Sequence, residues 1–155
     1  MPPRRTTELT PPTPAAWRDG LLSRSPEETA ALAAALAAIL PENTALALHG
    51  DLGTGKTTFV RGLAQAFGIR GPITSPTFGI FCVYESPVRQ LIHMDAYRLT
   101  APADADALVL WDLLHLPWTL AVEWPEKLGD RLPEGAWHLA FSIESPDVHR
   151  LRLWN

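Results

Sequence analysis

The stretch Gly50-Asp51-Leu52-Gly53-Thr54-Gly55-Lys56-Thr57 fits the pattern G-x-x-x-x-G-K-[ST]. Each position answers a demand of phosphate binding. Glycines let successive backbone N–H groups converge on phosphate oxygens, and a following helix N-terminus adds favourable partial charge. Lys56 is a compact ammonium able to reach the β and γ phosphates, where the wide planar fork of arginine would not fit. Thr57 brings a hydroxyl suited to Mg²⁺. The implied ligands are ATP or ADP with Mg²⁺.

A loop of this kind needs a carboxylate at the end of a neighbouring strand to organise the metal. Glu123 follows the apolar run Leu120-Ala121-Val122, and Asp95 follows Leu91-Ile92-His93-Met94 in the same way. Both would emerge at the C-terminal edge of a parallel sheet, where ligands bind in such folds. On spacing alone either acid also reads as a solvated strand end. Ser75-Pro76-Thr77 is read both as an ordinary proline turn and as a switch loop whose hydroxyl senses the γ-phosphate or its metal. His93 reads as a member of the strand-end hydrogen-bond network rather than as a base.

These residues have to be positioned by elements, and the chain supplies them. Ser25-Pro26-Glu27-Glu28 is a helix start, with Ser25 as N-cap, Pro26 in the first turn and Glu28 closing a capping box. Leu32, Leu36, Ile39 and Leu40 then share a helical face, and Pro41-Glu42-Asn43 ends the helix. Ala45 to His49 reads as a buried parallel strand leading into the loop. Lys56 to Phe67 is a second helix with Phe59, Val60, Leu63 and Phe67 inward, closed by Gly68. Ile80–Tyr84 and Leu91–Met94 read as strands, Asp104–Leu114 as a helix through Leu108, Trp111 and Leu114, and Leu120–Val122 as a strand. Trp137–Ile143 and His149–Trp154 form a terminal hairpin around Glu144-Ser145-Pro146-Asp147. Residues 1–16 read as a Pro/Thr-rich tail and Trp17–Ser23 as a short edge strand. The expected fold is α/β, a three-layer sandwich like that of P-loop NTPases with a mixed, mostly parallel central sheet, over residues 17–155 as one domain.

Composition bounds the function. The chain has 155 residues, 46% of them hydrophobic and 19% charged, enough for one packed core and against wholesale disorder. A net charge of −4 argues against stand-alone nucleic-acid binding. A single cysteine, Cys82, permits no internal disulfide and fits a reducing compartment, so a cytoplasmic location is expected. No apolar run is long enough to span a bilayer, and no hydrophobic segment follows Arg4-Arg5 as an export signal would require. Among the basic residues only Lys56 and Lys127 are lysines. In a chain that otherwise writes arginine, one of them falls where a phosphate loop requires lysine.

Five stretches in order, Gly50 to Phe59, Arg61-Gly62, Ser75-Pro76-Thr77-Phe78, His93 to Leu99 and Glu123-Trp124-Pro125-Glu126, resemble the TsaE family of small ATPases. That family acts in bacterial tRNA threonylcarbamoyladenosine biosynthesis. The resemblance runs from about Ser25 to Trp124 and implies an ATPase that binds a TsaB–TsaD pair. That pair modifies the adenosine beside the anticodon of tRNAs reading ANN codons, and the ATPase supports repeated turnover. It further implies roles residue by residue. Lys56, Thr57 and Glu123 serve phosphate and metal, and Asp95 serves hydrolysis, with Thr77 as the switch threonine. Gly50, Asp51, Leu52, Gly53, Thr54, Gly55 and Thr58 belong to the nucleotide loop. Trp124 is implied beside the base with Glu126 near it, Ser25 and Thr29 lie on the adenine side, and Arg150 is a late nucleotide-side contact. The chain departs from the family after Leu99, where Ala101-Pro102-Ala103-Asp104 replaces the usual glutamate and Leu-Gly pair.

Two other functions use the same loop. A small-molecule or nucleotide kinase needs an arginine-rich lid, whereas Arg61, Arg70, Arg89 and Arg98 are scattered. A nucleotide-binding regulatory subunit would differ mainly in hardly hydrolysing. A GTPase is disfavoured because no Asn/Thr-Lys-x-Asp motif is present. Trp111, Trp118, Trp137 and Trp154 are expected in the core or at an interface, an exposed one marking a partner surface.

Overall fold

The computed structural model describes residues 10–76, 80–107 and 109–155. Its centre is one seven-stranded sheet, built from β1 (Leu21–Ser23), β2 (Thr44–His49), β3 (Phe81–Tyr84), β4 (Gln90–Asp95), β5 (Trp118–Glu123), β6 (Trp137–Ser145) and β7 (Val148–Trp154). Across the sheet the order is β1-β7-β6-β2-β5-β4-β3. The inner strands β6, β2, β5 and β4 run parallel. The pairings at β1–β7, β7–β6 and β3–β4 are antiparallel. The expected mixed, mostly parallel α/β sheet is therefore present.

Parallel strands buried on both faces read as continuous apolar runs. That is why Ala45 to Leu48 and Leu120 to Val122 are fully buried. One face carries α1 (Pro14–Asp19), α2 (Pro26–Ala37) and α3 (Lys56–Ala66). Leu46, Leu48, Leu139 and Leu151 meet Leu36, Phe59, Val60 and Leu63 in that layer. The other face meets Leu99, Ala105, Leu110 and Leu128. These come from short helical turns rather than long helices.

The start of α2 forms as its sequence dictates. Ser25 Oγ accepts the Glu28 N–H at 3.1 Å. Glu28 Oε2 accepts the Arg24 N–H at 2.7 Å, one residue before the position a capping box usually serves. Gly62 lets α3 lie close to α2, because a Cβ there would come within 2.6 Å of Ala33 Cβ. The Arg61-Gly62 pair thus has two physical uses. Arg61 Nε also donates to Ile73 O at 3.0 Å, fastening the loop that leads to Ser75.

Several expectations are corrected. Trp17 lies in α1 and not in an edge strand, and it is 1% exposed in the core. Residues 14–16, read as tail, begin that helix behind the N-cap Thr13. Ile39 is 46% exposed because α2 ends at Ala37 and the chain turns before it. The helix expected over Asp104–Leu114 is instead a 3₁₀ segment, Pro102–Ala107, and a four-residue α4, Leu110–Leu113. Asp104 caps the start of that segment through Thr100 and Ala101, while Leu108 is outside the described residues. Among the described residues no helix is long and apolar enough to cross a membrane.

Candidate functional site

β2 delivers the chain to the loop at the C-terminal edge of the parallel strands, and α3 begins at Lys56. Gly55 stands at the helix N-cap with φ of 101°, a left-handed conformation open to glycine. Thr54 Oγ1 donates to Asp51 O at 2.8 Å, tightening the turn from inside. Lys56 is 5% exposed and its Nζ donates to Gly50 O, folding back across the loop. Among the described residues this carbonyl is the one hydrogen-bond acceptor of the ammonium.

β4 and β5 are adjacent and in register, so Asp95 and Glu123 pair at their ends. His93 Nε2 lies 2.9 Å from Glu123 Oε2, with both side chains buried. A carboxylate accepts, so the histidine donates. Its Nδ1 is buried without a partner among the described residues. Asp95 Oδ1 accepts the Tyr97 N–H at 3.0 Å and fixes the turn after β4. Thr57 Oγ1 is 2.9 Å from Ser75 Oγ, which joins the start of α3 to the proline loop.

Lys56, Thr57, Thr58, Gly53, Gly55, Leu52, Ser75, Asp95, Glu123, Trp124 and His149 line one cavity of about 320 Å³. Ser25 and Thr29 line a second one of about 230 Å³, which shares Gly55, Thr58 and His149 with the first. Buried Ser23 steadies Thr29 through a 2.7 Å hydroxyl contact. Most of the residues singled out from sequence therefore converge on two adjoining hollows.

Trp124 stands within the first cavity, whereas Asp51, Glu126 and Arg150 lie outside both hollows. Trp124, with φ of 56°, turns its ring over Lys56 Nζ at 4.4 Å and against Tyr97. The ring therefore stands beside Lys56 in the wall of the first cavity. Glu126 and Asp51 border a third hollow of about 360 Å³ with His49 and Gly50, which shares Trp124 with the first. Arg150 pairs with Glu144 and lines neither hollow beside α3. Strand alternation explains it: Leu151 and Leu153 face the helices, and so does His149, leaving Arg150 on the opposite face. Thr77 falls outside the described residues.

Sequence reasoning passed over Ser75 as a hydroxyl donor in its own right, although it stands in the same motif as Thr77. It also passed over His149, which the alternation with Leu151 and Leu153 pointed to. His49, just before the loop, stacks on His138 and the exposed ring of Trp154. Burial, then the neighbouring His138, hold the His49 pKa below its ordinary value. Glu126 opposes this and Lys56 adds to it.

The donor set fits Mg²⁺: a hydroxyl at Thr57 and carboxylates at Asp95 and Glu123 are all hard oxygen ligands. Among the described residues no three His, Cys, Asp or Glu side chains form a metal cluster.

The chain is similar to known proteins over most of its length. The family model described as threonylcarbamoyl adenosine biosynthesis protein TsaE matches residues 23–151. The tRNA threonylcarbamoyladenosine biosynthesis protein TsaE of Bacillus subtilis is 40% identical over 110 residues, covering 71% of this chain and 68% of that one. The protein of the same name from Mycobacterium bovis is 36% identical over 140 residues, with 83% and 82% covered. Among solved structures, the crystal structure of Bacillus subtilis YdiB superposes with a TM-score of 0.69 at 32% identity, covering 85% of this chain and 81% of that one.

Proposed function

The chain belongs to the TsaE family of threonylcarbamoyl adenosine biosynthesis proteins, and on that premise we propose that it is a magnesium-dependent ATPase working on a TsaB–TsaD heterodimer. It sustains repeated threonylcarbamoylation of the adenosine beside the anticodon in tRNAs reading ANN codons. The observation that carries the ATPase reading is the convergence of Lys56, Thr57, Asp95 and Glu123 on one cavity at a helix N-terminus.

In this reading Lys56 releases Gly50 O and meets the β and γ phosphate oxygens. The backbone N–H groups from Gly53 to Thr57 surround the β phosphate. Thr57, with Glu123 behind it, would hold Mg²⁺, which when bound neutralises charge on the transferred phosphoryl group. His93 keeps the Glu123 carboxylate turned toward the cavity. Asp95, fixed by the Tyr97 N–H, orients water at the γ phosphate. Thr77 acts as the switch hydroxyl of the loop after Ser75. With a net charge of −4 the chain meets tRNA through its partners, in the cytoplasm, rather than by gripping it alone.

Calorimetric titration with ADP and ATP in the presence of Mg²⁺ tests the site, with slow hydrolysis expected from the isolated chain. Absence of binding overturns it. A threonylcarbamoyl-transfer assay with cognate TsaB and TsaD, with and without the chain, tests the role. Product that accumulates over many turnovers without it would return the kinase reading.

A further inference from the structure

His149 stands where the phosphate loop, the Ser25 hollow and the C-terminal hairpin meet. It is the second residue of β7, directly opposite Ser23 of β1, and it lines both hollows. Its Nδ1 is 2.8 Å from the carbonyl oxygen of Thr54. A carbonyl only accepts, so Nδ1 carries the proton, and in the neutral ring Nε2 is an acceptor. Among the described residues Nε2 has no hydrogen-bond partner. A Cβ on Gly55 would lie 3.3 Å from Nδ1, so the ring sits tightly against the last glycine of the loop.

The two hollows share only Gly55, Thr58 and His149. A nucleotide with its phosphates at Lys56 and its base toward Ser25 and Thr29 must cross this shared wall, and the part that crosses is the sugar. Gly55 offers no side chain there. A ribose hydroxyl is a donor and matches the acceptor that His149 leaves over. A phosphate oxygen, itself an acceptor, does not.

We propose that His149 is a nucleotide-positioning residue with two separable uses. Nδ1–H holds the Thr54 carbonyl and thereby the orientation of the loop's N–H groups. Nε2 accepts from the ribose and makes the site prefer ribonucleotides. The inference rests on the reading of the cavity as a nucleotide site.

Calorimetry on the full chain compares ADP with 2′,3′-dideoxy-ADP for wild type, His149→Asn and His149→Ala. Asparagine places an amide N–H near the position of Nδ1 but nothing at Nε2. Wild type is expected to bind the dideoxy compound about tenfold more weakly than ADP, the worth of one good hydrogen bond. His149→Asn should bind both compounds alike, near the wild-type affinity for the dideoxy form. His149→Ala should bind both more weakly still, since the loop has lost its clamp. Unfolding transitions of the variants identify any that fail to fold, and His149→Asn alone then suffices. Equal wild-type affinities, or discrimination that survives in His149→Asn, overturn the proposal while leaving the nucleotide site standing. Failure of wild type to bind ADP at all overturns the site itself.

Discussion

His93 Nε2 and Glu123 Oε2 are 2.9 Å apart across two neighbouring parallel strands, and neither side chain reaches solvent appreciably. The pair holds the strand-end carboxylate in one orientation. A buried carboxylate deprived of its donor is costly. His93→Ala is expected to lower stability by about 1.5–3 kcal/mol, the range for hydrogen bonds to charged groups. Urea denaturation measures it. His93→Gln, which can place an amide N–H near the position of Nε2, should recover part of the loss and of any hydrolysis. Equal stability of His93→Ala and wild type would contradict the pairing.

Among the described residues Lys56 has one acceptor, Gly50 O, and it lies against the cavity that Glu123 also lines. Lys56→Ala is expected to weaken ATP and ADP binding by about 10–100-fold, the loss of a charge-assisted contact. Glu123→Gln keeps an acceptor for His93 and should leave nucleotide affinity nearly unchanged while cutting hydrolysis about 100-fold. Calorimetry and single-turnover hydrolysis separate the two effects. Equal loss of binding and hydrolysis in Glu123→Gln would remove its assignment to the metal.

Gly62 faces α2 where a Cβ would meet Ala33 Cβ at 2.6 Å and Ala30 Cα at 2.9 Å. Backbone is among the obstacles, so the helices have to separate. Gly62→Ala is expected to cost about 1–3 kcal/mol despite the better helix propensity of alanine. Thermal unfolding followed by circular dichroism gives the answer. A stabilised variant would mean that α2 and α3 lie further apart.

The His49 pKa is held below 6.5, chiefly by burial. Above that value both folded and unfolded chains leave this ring neutral. As pH falls below 6.5 the unfolded chain takes up the proton first, so this ring's contribution to stability is lost until pH passes the folded pKa. Denaturation midpoints measured through this window should fall less steeply in His49→Gln than in wild type. Parallel curves would count against the shift.

The loop and the strands around it were legible because their signals are local. Gly50 to Thr57 is a contiguous pattern, and the capping residues of α2 lie within one turn of each other. Alternation along β7 was equally legible and points to the helix-facing positions, yet Arg150 was singled out through the family resemblance while His149 occupies the cavity wall. The Asp104–Leu114 segment misled because its apolar spacing suits a helix. Pro102 and the Asp104 cap on Thr100 and Ala101 instead favour a short 3₁₀ segment. Trp17 gave no periodic signal of its own, because the six-residue helix carrying it is too short to show one.

By itself the amino-acid sequence determined the glycine-rich loop from Gly50 to Thr57, the α/β alternation and the family. Each rests on residues close in the chain, whose backbone preferences and hydrophobic period act without long-range help. The tertiary structure decided which side chains share a cavity. Asp95 and Glu123 meet because β4 and β5 are parallel and in register. His149 meets Thr54 because β7 runs back antiparallel beside β6. Pairing register is a cooperative property of the whole sheet, set by the burial of every strand at once.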